Sequence, residues 1–251
     1  MTTVNDPVFV KDLTKTYYDE SRGPVHAVRQ IGFTCRPGEI FGLLGANGAG
    51  KTTTLRMLTT ILKPSAGTAK IMGYDVAEEP VEVRRHVGFY SATTALYPRL
   101  TARETIEFFA RINGYDASRT PARVDELVER FGIEEYARAR IDKLSSGMKQ
   151  KVAIARTLAH DPPILVFDEP TVGLDVLNAL EMQAILTELK AQGKTILFST
   201  HIMSEAEKLC DRIAIIHEGR ILASGTLEAL RERTGAHYLE DIFVSFIQEA
   251  A

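Results

Sequence analysis

Short apolar runs alternate with helical stripes along this chain, and their order predicts an α/β fold. Val8-Phe9-Val10, Ala27-Val28 through Phe33, Ile40 to Leu44, Thr68 to Met72 and Val87-Gly88-Phe89 read as strands, being short and rich in β-branched or aromatic residues. Lys63-Pro64-Ser65-Ala66-Gly67 is a turn, and the strand after it reads as one arm of an antiparallel pair. From about Thr101 to His160 the pattern turns helical. Thr101-Ala102-Arg103-Glu104 has the form of a capping box, with Ile106, Phe109 and Ala110 behind it as an apolar stripe. Arg103–Glu107 and Glu107–Arg111 are spaced as i,i+4 ion pairs on the wet face. A second helix is predicted from about Pro121 to Phe131, and a third pattern runs from Lys149 to His160.

Strand–helix alternation resumes after His160. Ile164-Leu165-Val166-Phe167 is apolar throughout and reads as a central parallel strand. Val176 to Gln192 is a helix ended by Gly193. Thr195 to Phe198 and Ile213 to Ile216 are strands, and Glu218-Gly219 suits a hairpin turn into Arg220-Ile221-Leu222. From Thr226 onward the chain is helical, with Leu239, Ile242, Phe243 and Phe246 on one face. The expected organisation is one domain. Residues 1–89 and 163–225 form its α/β core, 90–162 a helical insertion, and 226–251 a C-terminal helical extension.

Composition narrows the class. At 251 residues, 45% hydrophobic and 25% charged, the chain is long enough to bury roughly 70–75% of its unfolded surface. A net charge of −3 gives no basic field to recruit nucleic acid, so no nucleic-acid partner is expected. Arg84-Arg85-His86 reads as a solvated helix end. Two cysteines, Cys35 and Cys210, point to a reducing compartment. The N-terminus shows neither a basic n-region nor an apolar stretch, and no window approaches the roughly 18–20 apolar residues of a membrane helix. The expectation is a cytoplasmic protein whose membrane role, if any, comes through a partner.

The chemistry is concentrated at Gly45-Ala46-Asn47-Gly48-Ala49-Gly50-Lys51-Thr52, followed by Thr53. The run fits the phosphate-binding pattern G-x-x-x-x-G-K-[ST], with an apolar strand before it and a helical period after it. Backbone N–H groups and the helix dipole would cradle phosphate oxygens, Lys51 would reach the terminal phosphates, and the Thr52 hydroxyl could ligate Mg²⁺. The alternative, a glycine turn that merely joins strand to helix, is disfavoured because the flanking strand and helix that the motif asks for are both in place. Far along the chain, Asp168 and Glu169 stand at the end of a buried strand, where ligands of open α/β sheets bind. Asp168 would hold Mg²⁺ and Glu169 would polarise an attacking water. Alone, the pair would pass for two acids on a surface loop.

Leu144-Ser145-Ser146-Gly147-Met148-Lys149-Gln150-Lys151, followed by Val152-Ala153-Ile154-Ala155-Arg156, resembles the signature sequence of ATP-binding cassette (ABC) ATPases. Asp168-Glu169-Pro170-Thr171 with Gly173-Leu174-Asp175 resembles that family's metal strand and following loop, and Phe198-Ser199-Thr200-His201 its switch histidine. The resemblance covers nearly the whole chain, in the family's order. It implies a P-loop NTPase core with an antiparallel β subdomain and a helical insertion, binding ATP and Mg²⁺. It also implies head-to-tail pairing with a second copy or a homologous subunit, so that Ser145, Ser146 and Gly147 meet the partner's triphosphate. His201 would hydrogen-bond the γ-phosphate or the water. Tyr17 resembles the adenine-stacking aromatic, with Tyr18 as a rival.

Two departures refine the resemblance. Phe89 to Pro98 contains no glutamine where the family usually places one, leaving the hydroxyls of Ser91, Thr93 or Thr94 as alternative oxygen donors. The signature reads Ser-Ser-Gly-Met-Lys where Ser-Gly-Gly-Gln is commoner. These features resemble the branch serving multidrug, antibiotic and sodium (NatA-like) exporters. The expected function is therefore the ATPase subunit of an exporter beneath a separate transmembrane permease, at the inner face of the cell membrane. A soluble ABC ATPase acting as an ATP-gated assembly scaffold would carry the same motifs. A nucleic-acid-linked ABC protein is disfavoured by the single cassette and the lack of a basic arm.

Overall fold

Strands β3 (Ile40–Leu44) and β7 (Ile164–Asp168) are buried at every residue because both faces of their sheet are covered. The structure, a computed structural model, describes residues 6–21, 23–91 and 95–250. With β6 (Val87–Ser91), β8 (Thr195–Thr200), β9 (Arg212–His217) and β10 (Arg220–Gly225), these strands form a six-stranded sheet ordered β10-β9-β3-β8-β7-β6. All its pairings are parallel except the β9–β10 hairpin. That hairpin turns at Glu218 and Gly219, both left-handed at φ 44° and 77°, as a two-residue hairpin turn of this twist requires.

A second, antiparallel sheet contains β1 (Val8–Asp19), β2 (Gly23–Cys35), β4 (Ala66–Ile71) and β5 (Tyr74–Asp75), in the order β2-β1-β4-β5. The antiparallel arm expected after the Lys63–Gly67 turn is β4, paired to β1. The hairpin of β1 and β2 runs well past the apolar residues that announced it.

Side chains alternate along the parallel strands, dividing the interior in two. Phe41, Leu43, Ile164, Val166 and Leu197 face the antiparallel sheet and α1 (Lys51–Leu58), while α2 (Pro80–His86) seats Val83 in the same core. Ile40, Leu165, Phe167, Ile196 and Phe198 face the helices on the other side. Those are α3 (Ala102–Ile112), α4 (Thr120–Arg130), α5 (Ser146–Thr157) and α6 (Val176–Ala191). Beyond β9 and β10, α7 (Met203–Leu209), α8 (Leu227–Thr234) and α9 (Leu239–Ala250) enclose a third core with Leu239, Ile242 and Phe246 buried. Among the described residues no helix is long and apolar enough to cross a membrane.

Local signals account for several helix ends. The capping box forms: Glu104 N–H donates to Thr101 Oγ1 at 3.1 Å and Thr101 N–H to Glu104 Oε2 at 2.8 Å. Such a cap stabilises a helix by about 1 kcal/mol. Arg111 pairs with Glu107 at 2.8 Å as its spacing predicts, but Arg103 reaches instead to Asp125 on α4, at 2.6 Å. The two helices lie side by side, and the interhelical carboxylate competes successfully with the intrahelical one. Helix α5 begins three residues earlier than its apolar period indicates, because Ser145 caps it by accepting from Met148 N–H at 3.3 Å. Helix α7 is short and mixed in character, and no periodicity announced it.

Candidate active site

The phosphate loop leaves the sheet where β3 ends, with backbone on both sides. A Cβ on Gly45 would collide with the Ile216 carbonyl, and one on Gly50 would stand 2.6 Å from the Ala27 carbonyl. Gly50 is also left-handed, at φ 107°. Glycine is needed at both positions, for close approach at the first and for approach and conformation at the second. The loop is buttressed by the β9–β10 turn, Gly219 N–H donating to Ala49 O at 2.9 Å. Gly50 caps α1 with no side-chain acceptor, so the first-turn N–H groups remain donors for an anion. Ala46, Asn47 and Gly48 are exposed on the loop's rim, and Thr53 is half-buried on α1.

Lys51 is buried, and its ammonium donates to Gly45 O at 2.7 Å and Ala46 O at 3.1 Å. It also lies 3.0 Å from Glu169 Oε1. Thr52 Oγ1 donates to Asp168 Oδ1 at 3.0 Å, so the loop and the end of β7 meet through side chains. His201, just after β8, places Nδ1 3.2 Å from the same Glu169 oxygen that Lys51 contacts. Burial works to raise the Glu169 pKa, but the hydrogen bond and charge of Lys51, then those of His201, outweigh it and hold the carboxyl below its usual value. Glu169 itself is left-handed, at φ 47°.

Sequence reasoning therefore named five residues that the fold brings together: Lys51, Thr52, Asp168, Glu169 and His201. It missed Ser199, whose hydroxyl donates to Asp168 Oδ1 at 2.8 Å and accepts from Glu169 N–H at 3.1 Å. It also missed Thr200, which donates to the buried Glu205 at 2.9 Å and whose carbonyl accepts from Gly45 N–H at 3.3 Å. The one available signal was their place immediately before His201.

Ser145, Ser146 and Gly147 are elsewhere. They sit at the start of α5, with both serines exposed. Ser146 and Gly147 line a cleft of about 650 Å³ shared with Tyr90, Ser91, Asp175 and Asn178, and none of the phosphate-loop residues borders it. Tyr17 is partly exposed on β1, opposite Val25, under the Lys15 ammonium at 5.3 Å. On β2, two residues along from Val25, Ala27 abuts Gly50, so this part of the hairpin adjoins the loop. Tyr18 is more exposed still. Ser91 is buried and in register with Asp168 across β6 and β7, whereas Thr93 and Thr94 lie outside the described residues.

Among the described residues no cluster of three or more His, Cys, Asp or Glu could cage a metal. The Thr52 hydroxyl and Asp168 carboxylate nevertheless supply two convergent hard oxygen donors. That set fits Mg²⁺, which commonly takes one or two protein oxygens and completes its shell with phosphate and water.

The ABC transporter family profile matches residues 28–172, more than half of the chain. ABC transporter ATP-binding protein NatA of Bacillus subtilis (strain 168) is 42% identical over 239 residues, covering 95% of this chain and 97% of its own. Nod factor export ATP-binding protein I of Burkholderia orbicola (strain AU 1054) is 42% identical over 226 residues, covering 90% and 73%. Among solved structures, the dimeric post-hydrolysis state of an ATP-binding cassette bound to ADP and Pi superimposes with a TM-score of 0.79. It is 29% identical and covers 88% of this chain and 98% of its own. On sequence and fold alike, this chain belongs to the ABC transporter ATPase family.

Proposed function

We propose that this chain is the ATP-binding and ATP-hydrolysing subunit of an exporter, acting as a dimer beneath a separate membrane permease. The observation that carries the reading is the meeting of Lys51, Glu169 and His201 at one carboxylate oxygen, with Thr52 and Asp168 beside it. Tyr17 would stack on adenine, and the loop from Gly45 to Thr53 would enclose the triphosphate with its N–H groups and with Lys51. Thr52 and Asp168 would hold Mg²⁺, which when bound neutralises charge on the phosphates. Glu169 takes the proton of the attacking water, and His201 holds that carboxylate and the γ-phosphate in line. Ser145, Ser146 and Gly147 face the triphosphate of the second copy, which explains why they stand apart from the loop in their own chain. Residues 90–162 act as the helical unit that relays dimer closure to the permease, at the inner face of the membrane.

The relatives favour an exporter, and the resemblance of the signature and of the glutamine-free segment to multidrug, antibiotic and sodium exporters directs the cargo toward sodium, a drug or an antibiotic. Tagged chain extracted in mild detergent tests this reading. Copurification of a polytopic membrane subunit, with ATPase activity that depends on both, supports it. Copurification of a soluble assembly partner alone overturns it in favour of a scaffold ATPase.

A further inference from the structure

The geometry points to Ser199 as a positioning residue that fixes Asp168 and Glu169 relative to each other. This inference rests on the roles proposed for those two acids. Ser199 is completely buried near the end of β8, between β3 and β7 in the sheet. Its hydroxyl donates to Asp168 Oδ1 at 2.8 Å, the same oxygen that receives the Thr52 hydroxyl at 3.0 Å. Two donors converging on one oxygen hold the Asp168 carboxylate in a single orientation, with Thr52 on one side and Ser199 on the other.

The same hydroxyl oxygen accepts from the Glu169 N–H at 3.1 Å, and the Ser199 carbonyl accepts from that N–H at 3.2 Å. Glu169 is a non-glycine residue in the left-handed region, a conformation that persists only where its surroundings impose it. The doubled bond from Ser199 anchors the peptide plane from which that turn departs. With that backbone turn in place, the Glu169 side chain swings back over the loop to reach Lys51 at 3.0 Å and His201 at 3.2 Å. A serine that merely satisfied its own burial would need one partner. This one bridges the side chain of the first acid to the backbone of the second.

Ser199 is itself held firmly. The neighbouring Thr200 is tied to Glu205 through its hydroxyl and to the phosphate loop through its carbonyl, which accepts from Gly45 N–H. Removing the Ser199 hydroxyl would therefore leave the strand end in place, free the Asp168 carboxylate on that side, and leave the Glu169 N–H with the Ser199 carbonyl as its one acceptor there. The loop N–H groups and Lys51, which bind the triphosphate, are untouched. The expected signature is a loss of turnover and of Mg²⁺ dependence with little change in metal-free nucleotide affinity.

The test compares Ser199→Ala and Ser199→Thr with the parent chain, with Asp168→Asn and Glu169→Gln as references. Ser199→Ala should lower kcat about tenfold or more while moving the ATP KM by less than about threefold, the pattern of an interaction realised in the transition state. By calorimetry, the gain in ATP affinity on adding Mg²⁺ should shrink, while affinity in chelator stays at the parent value. Ser199→Thr, which keeps the hydroxyl, should recover most of both. Should threonine prove too large to fold, the calorimetric comparison on Ser199→Ala alone decides. Unchanged kcat and Mg²⁺ dependence in Ser199→Ala, with or without a lower melting temperature, overturns the inference. If Asp168→Asn and Glu169→Gln are also fully active, the assignment of the acids has failed rather than the role of Ser199.

Discussion

Glu169 and Lys51 form an ion pair, 3.0 Å between Oε1 and Nζ, across a phosphate loop and a strand end separated by more than a hundred residues of sequence. The carboxylate proposed to take a proton is thus kept ionised by the ammonium proposed to hold the phosphates. An arriving triphosphate would compete for Lys51 and leave Glu169 less stabilised as an anion, hence a stronger base where basicity is needed.

Replacing Glu169 by Gln will preserve ATP binding and cut turnover by about 10²–10⁴, the range for losing a general base. Single-turnover hydrolysis alongside equilibrium nucleotide binding checks both halves. Turnover within threefold of the parent would remove Glu169 from the reaction.

Lys51→Ala removes the ammonium from the floor of the loop and leaves the Glu169 carboxylate without its cation. Tight ATP binding should disappear. Calorimetric titration measures it, and a parental affinity would overturn the phosphate-loop assignment.

Gly50→Ala tests the backbone of the loop. Its left-handed φ of 107° alone costs a non-glycine residue about 1–3 kcal/mol. The added Cβ would also stand against the Ala27 carbonyl. A lower melting temperature together with weakened ATP binding is expected. Parental values for both would mean that the turn relaxes freely.

His160 gives the fold a pH dependence outside the reaction. Burial is the main cause of a pKa pushed down from 6.5 to about 4, and Nδ1 is buried without a partner among the described residues while Nε2–H donates to Val87 O. Between those two values the unfolded chain binds a proton that the folded chain does not, so stability falls as pH drops through 6.5 toward 4. The loss is about 2 kcal/mol by pH 5. Melting temperatures of His160→Gln should decline less between pH 7 and pH 5 than those of the parent. Parallel declines would exclude His160 as the source.

Much of this architecture was legible because burial on both faces writes itself into the sequence as unbroken apolar runs, as at Ile40–Leu44 and Ile164–Phe167. The capping box at Thr101 was equally readable, since all its atoms lie within four residues. Arg103 shows where such reading stops: its i+4 carboxylate, Glu107, lost to Asp125, which only packing brings close. Ser199 and Glu205 were illegible for the same reason. Their contacts depend on the lateral order of strands, and hydrophobic periodicity carries no information about which strand lies beside which.

That lateral order sets a dimension. Because β8 is interposed between β3 and β7, the loop and the two acids spring from backbones two strand spacings apart, about 9–10 Å. Adjacent strands would leave room for a hydrogen bond and little else. Two spacings are closed only by side chains reaching toward each other, Thr52 to Asp168 and Lys51 to Glu169, each at 3.0 Å, above the end of β8. Strand β8 is thus a gauge as well as a source of side chains: it sets the span that the loop and the two acids must bridge.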